Sequence, residues 1–152
     1  MTYARNCRTR VDNFKPLNDE QGHDVGDLLL QEVAQRLSLC VREVDTVARF
    51  GGDEFVVILS ELDVDRARAM ELAQAVAEKI CCALSLPYVL HLNDGQGDGG
   101  TVEHHCSASI GAVLFNHTEG TEADLVKWAD RAMYQAKAAG RGRVQFMDCK
   151  GR

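Results

Sequence analysis

The stretch Ala48 to Ser60 reads as two short strands interrupted by Gly51-Gly52-Asp53-Glu54. Adjacent glycines remove side chains where a ligand's phosphates or base could approach the backbone. Asp53 and Glu54 present hard carboxylate oxygens at a hairpin tip, the donor type that suits Mg²⁺ bridging phosphates. The same residues also make an ordinary four-residue hairpin loop with solvated acids. A second stretch, Val11 to Asp27, holds Lys15, which could meet a phosphate. It also holds Asn18 and Asp27. Together these could read a purine, the carboxylate accepting from guanine's N1 and N2 donors and the amide pairing with its other edge groups. Turn chemistry and helix capping account for the same residues. In a third stretch, Ala129 to Val144, Lys137 and Arg141 stand four apart near a helix end. They form either a phosphate clamp or a favourable pairing with the helix dipole.

These groups need elements to hold them. Val25, Leu28, Leu29, Val33, Leu37 and Cys40 share one face of a helix running from Val25 to about Cys40, after a polar turn. Thr46 to Arg49 and Phe55 to Leu59 are the hairpin strands. Asp65 to Leu84 is a second helix with Ala69, Leu72, Ala73, Val76, Ile80 and Ala83 inward. Pro87 to Leu92 is a strand leading into a glycine-rich loop, and Val102 to Phe115 is a long strand or a strand pair. Thr121 and Asp124 resemble a capping box. They open a third helix whose stripe is Leu125, Trp128, Ala129, Ala132, Met133 and Ala136 and whose stop is Gly140. Arg143 to Met147 closes as a strand. Alternating helices and strands predict an α/β or α+β layered domain.

MTYARNCRTR does not fit this pattern, because a strand buried on both faces should be nearly continuously apolar. Residues 1–10 are therefore expected to be an atypical lead, whether a tag, a truncated or altered end, or a disordered segment. Residues 11–148 are the domain and 149–152 a tail.

At 152 residues the chain suits one domain with one sizeable core. Its net charge of −6, with no basic stripe, disfavours nucleic-acid binding. An anionic ligand must then be held by a few local cations or a metal. The six cysteines show no zinc spacing and are expected to be reduced cytoplasmic thiols. No apolar run approaches about 18 residues and no signal peptide is apparent, so no direct membrane contact is expected, though a parent protein could be membrane-anchored.

FKPLND, GHDVGD, RFGGDEF, SIG (Ser109 to Gly111) and ADRAMYQAK stand in the order and spacing of the GGDEF family, which the chain resembles from about Val11 to Phe146. The resemblance implies a diguanylate cyclase domain with a nucleotidyl-cyclase-like fold. In that fold a central, mostly antiparallel sheet is flanked by helices. It also implies condensation of two GTP into cyclic di-GMP plus pyrophosphate in a two-fold homodimer, with Mg²⁺ or Mn²⁺ as cofactor and a sensor domain possible in a parent protein.

Carried over by position, Asp53 and the Val11 carbonyl bind metal and Glu54 is the catalytic neighbour. Gly51 and Gly52 make room for the nucleotide, and Asn18 and Asp27 read guanine. Lys15, Lys137 and Arg141 contact phosphate, helped by backbone amides of Asn13 and Phe14. Arg42 and Asp45 match the RxxD site where cyclic di-GMP inhibits.

The pattern breaks at one end. The family has a metal-binding acid two residues before Asp12, and here that residue is Arg10, a fixed cation. The usual first helix and first strand, with an LTGLxNR-like motif, are missing or altered. The alternative reading is an impaired module that binds GTP or cyclic di-GMP as a sensor or effector. Gly142 stands where the family often has Asn, with little effect expected.

Other candidates are weaker. Asp94, Gln96, Asp98 and Gly99 begin like a calcium loop, but His105 occupies the twelfth position where Glu is needed. His104, His105 and Cys106 are sequential on a strand and so face opposite sides. Cys81 and Cys82 read as core and boundary packing, and Trp128 as core.

Overall fold

The computed structural model describes residues 2–93 and 99–149. The glycine-rich calcium candidate at Asp94, Gln96 and Asp98 lies outside them. The chain order is β1 (Ala4–Val11), α1 (Phe14–Gln21), α2 (His23–Cys40), β2 (Thr46–Gly51), β3 (Glu54–Leu59), α3 (Arg66–Ser85), β4 (Tyr88–His91), β5 (Thr101–His104), β6 (Ala108–Phe115), α4 (Glu122–Ala138) and β7 (Arg143–Met147). Five strands form one sheet in the order β2-β3-β1-β6-β7, and β4 and β5 form a separate ribbon. Within the large sheet only the β6–β7 pair is parallel. Among the described residues no helix is long and apolar enough to cross a membrane.

The helices cover both faces. On one side Leu29, Val33 and Leu37 of α2 and Ala73 and Ile80 of α3 bury themselves with Val57, Ile110 and Ala112 of the sheet. On the other, Ala129 and Ala132 of α4 pack on Val113 and Met147, with Leu125 and Trp128 partly buried at the margin. The α4 start is a complete capping box between Thr121 and Asp124, as its sequence predicts. The buried stripe of α3 is Ala69, Ala73, Ala77, Ile80 and Leu84. The inward position expected for Leu72 is corrected, since it is 43% exposed. Small alanines, not the larger leucine, meet the sheet, so periodicity alone chose the wrong edge of the stripe.

Three other expectations change. Lys15, Asn18 and their neighbours stand on a helix, α1, where a turn was expected; Gly22, at φ 90°, breaks it from α2. The segment from Val102 to Phe115 is a pair of strands divided between two sheets, because Ser107 turns to accept a hydrogen bond at its carbonyl from the Asp12 amide, 2.9 Å. The largest change is the opening segment. Residues 4–10 are ordered as most of β1, the middle strand, paired along its whole length to β6 and, over Arg5 to Arg10, to β3.

Backbone pairing on two sides holds this strand despite its composition, because every ladder hydrogen bond is independent of side-chain type. The side chains are less well served. Among the described residues, five of the six buried side-chain polar atoms without a hydrogen-bond partner belong to β1: Arg5 Nε and Nη1, Asn6 Oδ1, Arg8 Nε and Thr9 Oγ1. The sixth is His104 Nε2. Burial, with His105 adding to it, lowers the His104 pKa, while His105 itself is exposed beside Glu103. All six cysteines are free thiols; Cys81 is half-buried against the core and Cys82 is exposed.

Candidate functional site

The end of β1, the β2–β3 hairpin and the end of α4 converge on one cleft of about 160 Å³. Arg10 and Val11 come from β1, Asp12 and Asn13 from the turn after it, and Phe14 and Lys15 from α1. Asp53 comes from the hairpin tip, and Lys137 and Arg141 from α4 and the turn beyond. Residues from three distant segments, each singled out in the sequence, therefore meet.

Two of them hold unusual backbone. Asn13 has φ 63° and Arg141 φ 61°, and only one further non-glycine among the described residues, Glu61, has positive φ. Such left-handed conformations are disfavoured for residues with a Cβ and persist where surrounding structure fixes them. At Arg141 the fixing bond runs from its amide to the Ala136 carbonyl, 3.0 Å, closing the end of α4. Gly52, at φ 51°, turns the hairpin, and a Cβ on Gly51 or Gly52 would meet nothing within 4 Å, so the tip is open.

Asp12, which sequence reasoning passed over, fastens the cleft floor. Its buried carboxylate accepts hydrogen bonds from Ser107 Oγ at 2.9 Å and from Ser109 Oγ at 3.0 and 3.1 Å, with Arg141 Nε 3.9 Å away. The signal was present: the serine of the SIG stretch has a hydroxyl that only a polar neighbour would satisfy.

The acids of the tip are already partnered. Arg10 Nε donates to Asp53 Oδ2 at 3.3 Å, and Arg10 Nη1 lies 3.9 Å from Glu54 Oε1. Arg8 Nη2 donates to Glu54 Oε2 at 2.7 Å, with Asp130 of α4 3.3 Å from its Nε and the Phe50 ring 4.2 Å from its guanidinium carbon. Arg8 was also missed in the sequence. Its position two before Arg10 places both arginines on one side of a strand opposite an acidic hairpin, which is a legible pattern once β1 is known to be a strand.

This arrangement does not fit a divalent ion. A doubly charged ion about 4 Å from a guanidinium is opposed by several kcal/mol even at an effective dielectric near 20. The metal set expected from Asp53 and the Val11 carbonyl is thus occupied electrostatically by Arg10.

Asn18 and Asp27 lie outside the cleft. Asn18 Nδ2 is 3.0 Å from His23 Nδ1, and its Oδ1 rests against Gly26, where any Cβ would collide with it. Gly26 therefore lets α1 lie on α2 one residue before Asp27. Asp27 itself lines a neighbouring cavity of about 450 Å³ between α2 and β2, with Leu30, Val47, Arg49 and Phe55 among its walls.

Arg42 and Asp45 face each other in the loop before β2. Arg42 Nη2 is 3.0 Å from Asp45 Oδ1, and the same carboxylate accepts from the amides of Arg42 at 2.8 Å and Ser60 at 3.0 Å. Burial alone would raise the Asp45 pKa, but the Arg42 guanidinium and the two amides outweigh it and the net shift is downward. Their surface also borders a shallow cavity of about 290 Å³ with Ser38, Val41 and Glu43.

A sequence model described as "Diguanylate cyclase, GGDEF domain" matches residues 8–143. The bifunctional diguanylate cyclase/cyclic di-GMP phosphodiesterase MucR of Pseudomonas aeruginosa is 41% identical over 138 residues, covering 91% of this chain and 18% of MucR. Diguanylate cyclase A of Treponema denticola is 36% identical over 134 residues, 88% of this chain and 32% of its own length. The chain thus spans a third or less of these two relatives. The crystal structure of the GGDEF domain of TpbB (YfiN) from Pseudomonas aeruginosa superposes with a TM-score of 0.79 at 36% identity, covering 95% of this chain and 82% of that one.

Proposed function

Because the chain belongs to the GGDEF family of diguanylate cyclase domains, we propose that its cleft holds the triphosphate of GTP and that it serves cyclic di-GMP synthesis. In that synthesis two domains meet face to face. The 3′-hydroxyl of one GTP attacks the α-phosphorus of the other, and pyrophosphate leaves; repetition closes the ring. Two-fold symmetry lets one kind of site deliver two mutually reactive substrates, and orientation supplies much of the rate.

The observation that carries the reading is the convergence of Lys15, Lys137 and Arg141 with Asn13, Phe14 and Asp53 in one cleft. Lys15, Lys137 and Arg141 take the phosphates with the Asn13 and Phe14 amides, the open Gly51-Gly52 backbone admits the nucleotide, and Asn18 and Asp27 read guanine. Incubation of the chain with GTP, in parallel with Mg²⁺ and with EDTA, should yield cyclic di-GMP. A folded, dimeric sample that makes none overturns the synthesis reading.

The pairing of Arg10 with Asp53 and of Arg8 with Glu54 favours a second reading, a module that holds GTP or cyclic di-GMP without turnover. Calorimetric binding of GTP without product would establish it.

Two substitutions test the recognition residues. Asp27→Ala should weaken GTP binding about 10- to 100-fold, the range for a lost bidentate base contact, while binding of inorganic pyrophosphate is unchanged. Equal losses for both ligands would remove Asp27 from guanine reading. Arg42→Ala should weaken cyclic di-GMP binding at least about tenfold, as expected for loss of a charge-assisted contact. Unchanged binding would reduce Arg42–Asp45 to a local ion pair.

A further inference from the structure

We propose that the Arg10 guanidinium is the fixed cation of this cleft, and that a nucleoside triphosphate binds there without any divalent metal. This rests on the assignment of the cleft to a nucleotide.

Four cations line the cleft, Arg10, Lys15, Lys137 and Arg141, against two carboxylates, Asp12 and Asp53. Asp12 is turned inward to the Ser107 and Ser109 hydroxyls and is 1% exposed at its side chain, so it opposes a ligand least. Among the described residues neither Lys15 nor Lys137 forms an ion pair, so both ammonium groups are available to an anion. A chain of net charge −6 has therefore gathered a locally positive pocket.

Arg10 has donors left for a ligand. A guanidinium carries five N–H groups in a planar fork. Its Nε is hydrogen-bonded to Asp53 and its Nη1 lies 3.9 Å from Glu54 Oε1 without a hydrogen bond, and its side chain remains 40% exposed. The contact with Asp53 holds the group in place while the remaining N–H groups can pair bidentately with phosphate oxygens. A divalent ion would have to displace this contact and then share the carboxylate with a neighbouring cation. A triphosphate has no such conflict: its negative charge is what the cleft lacks.

The test uses the whole chain and a GTP analogue with a non-hydrolysable α,β-bridge, titrated calorimetrically in excess EDTA and in excess Mg²⁺. The affinity in EDTA should be within about threefold of that in Mg²⁺ or tighter, and should fall steeply with added salt. Binding that drops tenfold or more in EDTA overturns the metal-free proposal and leaves the GTP reading standing. Absence of binding in both conditions overturns both. Arg10→Asp, checked for folding by circular dichroism, should lose at least tenfold in EDTA and recover on Mg²⁺ addition, whereas Arg10→Lys should keep most of the EDTA affinity. Unchanged EDTA affinity in Arg10→Asp would show that the guanidinium is not the cation the phosphates use. The comparison of EDTA with Mg²⁺ on the unsubstituted chain decides the matter even if the aspartate variant does not fold.

Discussion

Replacing Arg5 with methionine should stabilise the fold, by roughly 1–3 kcal/mol in equilibrium denaturation. The corresponding rise in melting temperature is about 3–10 °C. Arg5 is fully buried in the middle strand. Its Nη2 reaches only the Met70 sulfur at 2.7 Å, and its guanidinium carbon lies 4.7 Å from the centre of the Phe146 ring. Nε and Nη1 have no acceptor among the described residues. Burial, with a smaller contribution from Arg66 against an opposing one from Cys7, pulls its pKa down to about 10.

At neutral pH the side chain is therefore still charged, and its hydration has been exchanged for a thioether and an aromatic face. A desolvated cation–π contact returns about 2 kcal/mol, less than the several kcal/mol of desolvation. Methionine follows the same unbranched path, fills most of the same volume and suits an aromatic neighbour. Arg5→Ala separates charge from volume: it should gain less than methionine or lose, because it leaves a cavity. A methionine variant no more stable than the parent would mean that the guanidinium is satisfied in a way that these contacts do not reveal.

Gly111→Ala should have the larger effect in the other direction, a loss of about 3 kcal/mol or more, beyond the usual range for one added methyl. Gly111 lies in β6 between Arg8 of β1 and Gln145 of β7. A Cβ there would fall 2.8 Å from Met133 Cα and closer still to the Ala129 carbonyl oxygen and the Met133 amide. These are backbone atoms of a helix, so no rotamer change can relieve the overlap. The whole of α4 would have to retreat, opening the seam where Ala129 and Ala132 meet Val113 and Met147. The same helix carries Lys137 and leads to Arg141, so a folded fraction of the variant should also bind pyrophosphate more weakly. Urea unfolding measures the first effect and calorimetry the second. A stability loss below about 1 kcal/mol would contradict the close approach of α4 to β6.

Much of this is legible in the sequence alone. The hairpin, α4 with its capping box and the helix from Val25 onward are local, and their signals are local too. Periodicity and caps depend on residues within a turn or two of each other. The gathering of Lys15, Asp53, Lys137 and Arg141 could be expected because the motifs occur in a familiar order. β1 could not be read that way. Its place is set by pairing with β3 and β6, and Arg5, Arg8 and Thr9 argue against burial one by one. The edge of α3 that faces inward was misjudged for a related reason. Leu72 is the more hydrophobic residue, but a sheet lets a helix approach most closely through alanines, a property of the partner surface and not of the helix. Asp12 and Arg8 escaped notice because each acquires meaning only through a distant partner, Ser109 and Glu54.

Among the described residues β1 alone pairs with both β3 and β6, so the large sheet consists of two halves, β2–β3 and β6–β7, with β1 as the seam between them. The β2–β3 hairpin can close early, since its partners are neighbours in sequence. Joining the halves requires residues such as Asp12 and Ser109, 97 positions apart, to find each other. That search is slow by comparison with hairpin closure. Asp53 belongs to one half, and Lys137 and Arg141 follow the other, so the cleft does not exist until the seam is made. In a refolding time course, helical signal should recover first and anion binding last. During the interval the bare edges of β3 and β6 are open to strands from other molecules.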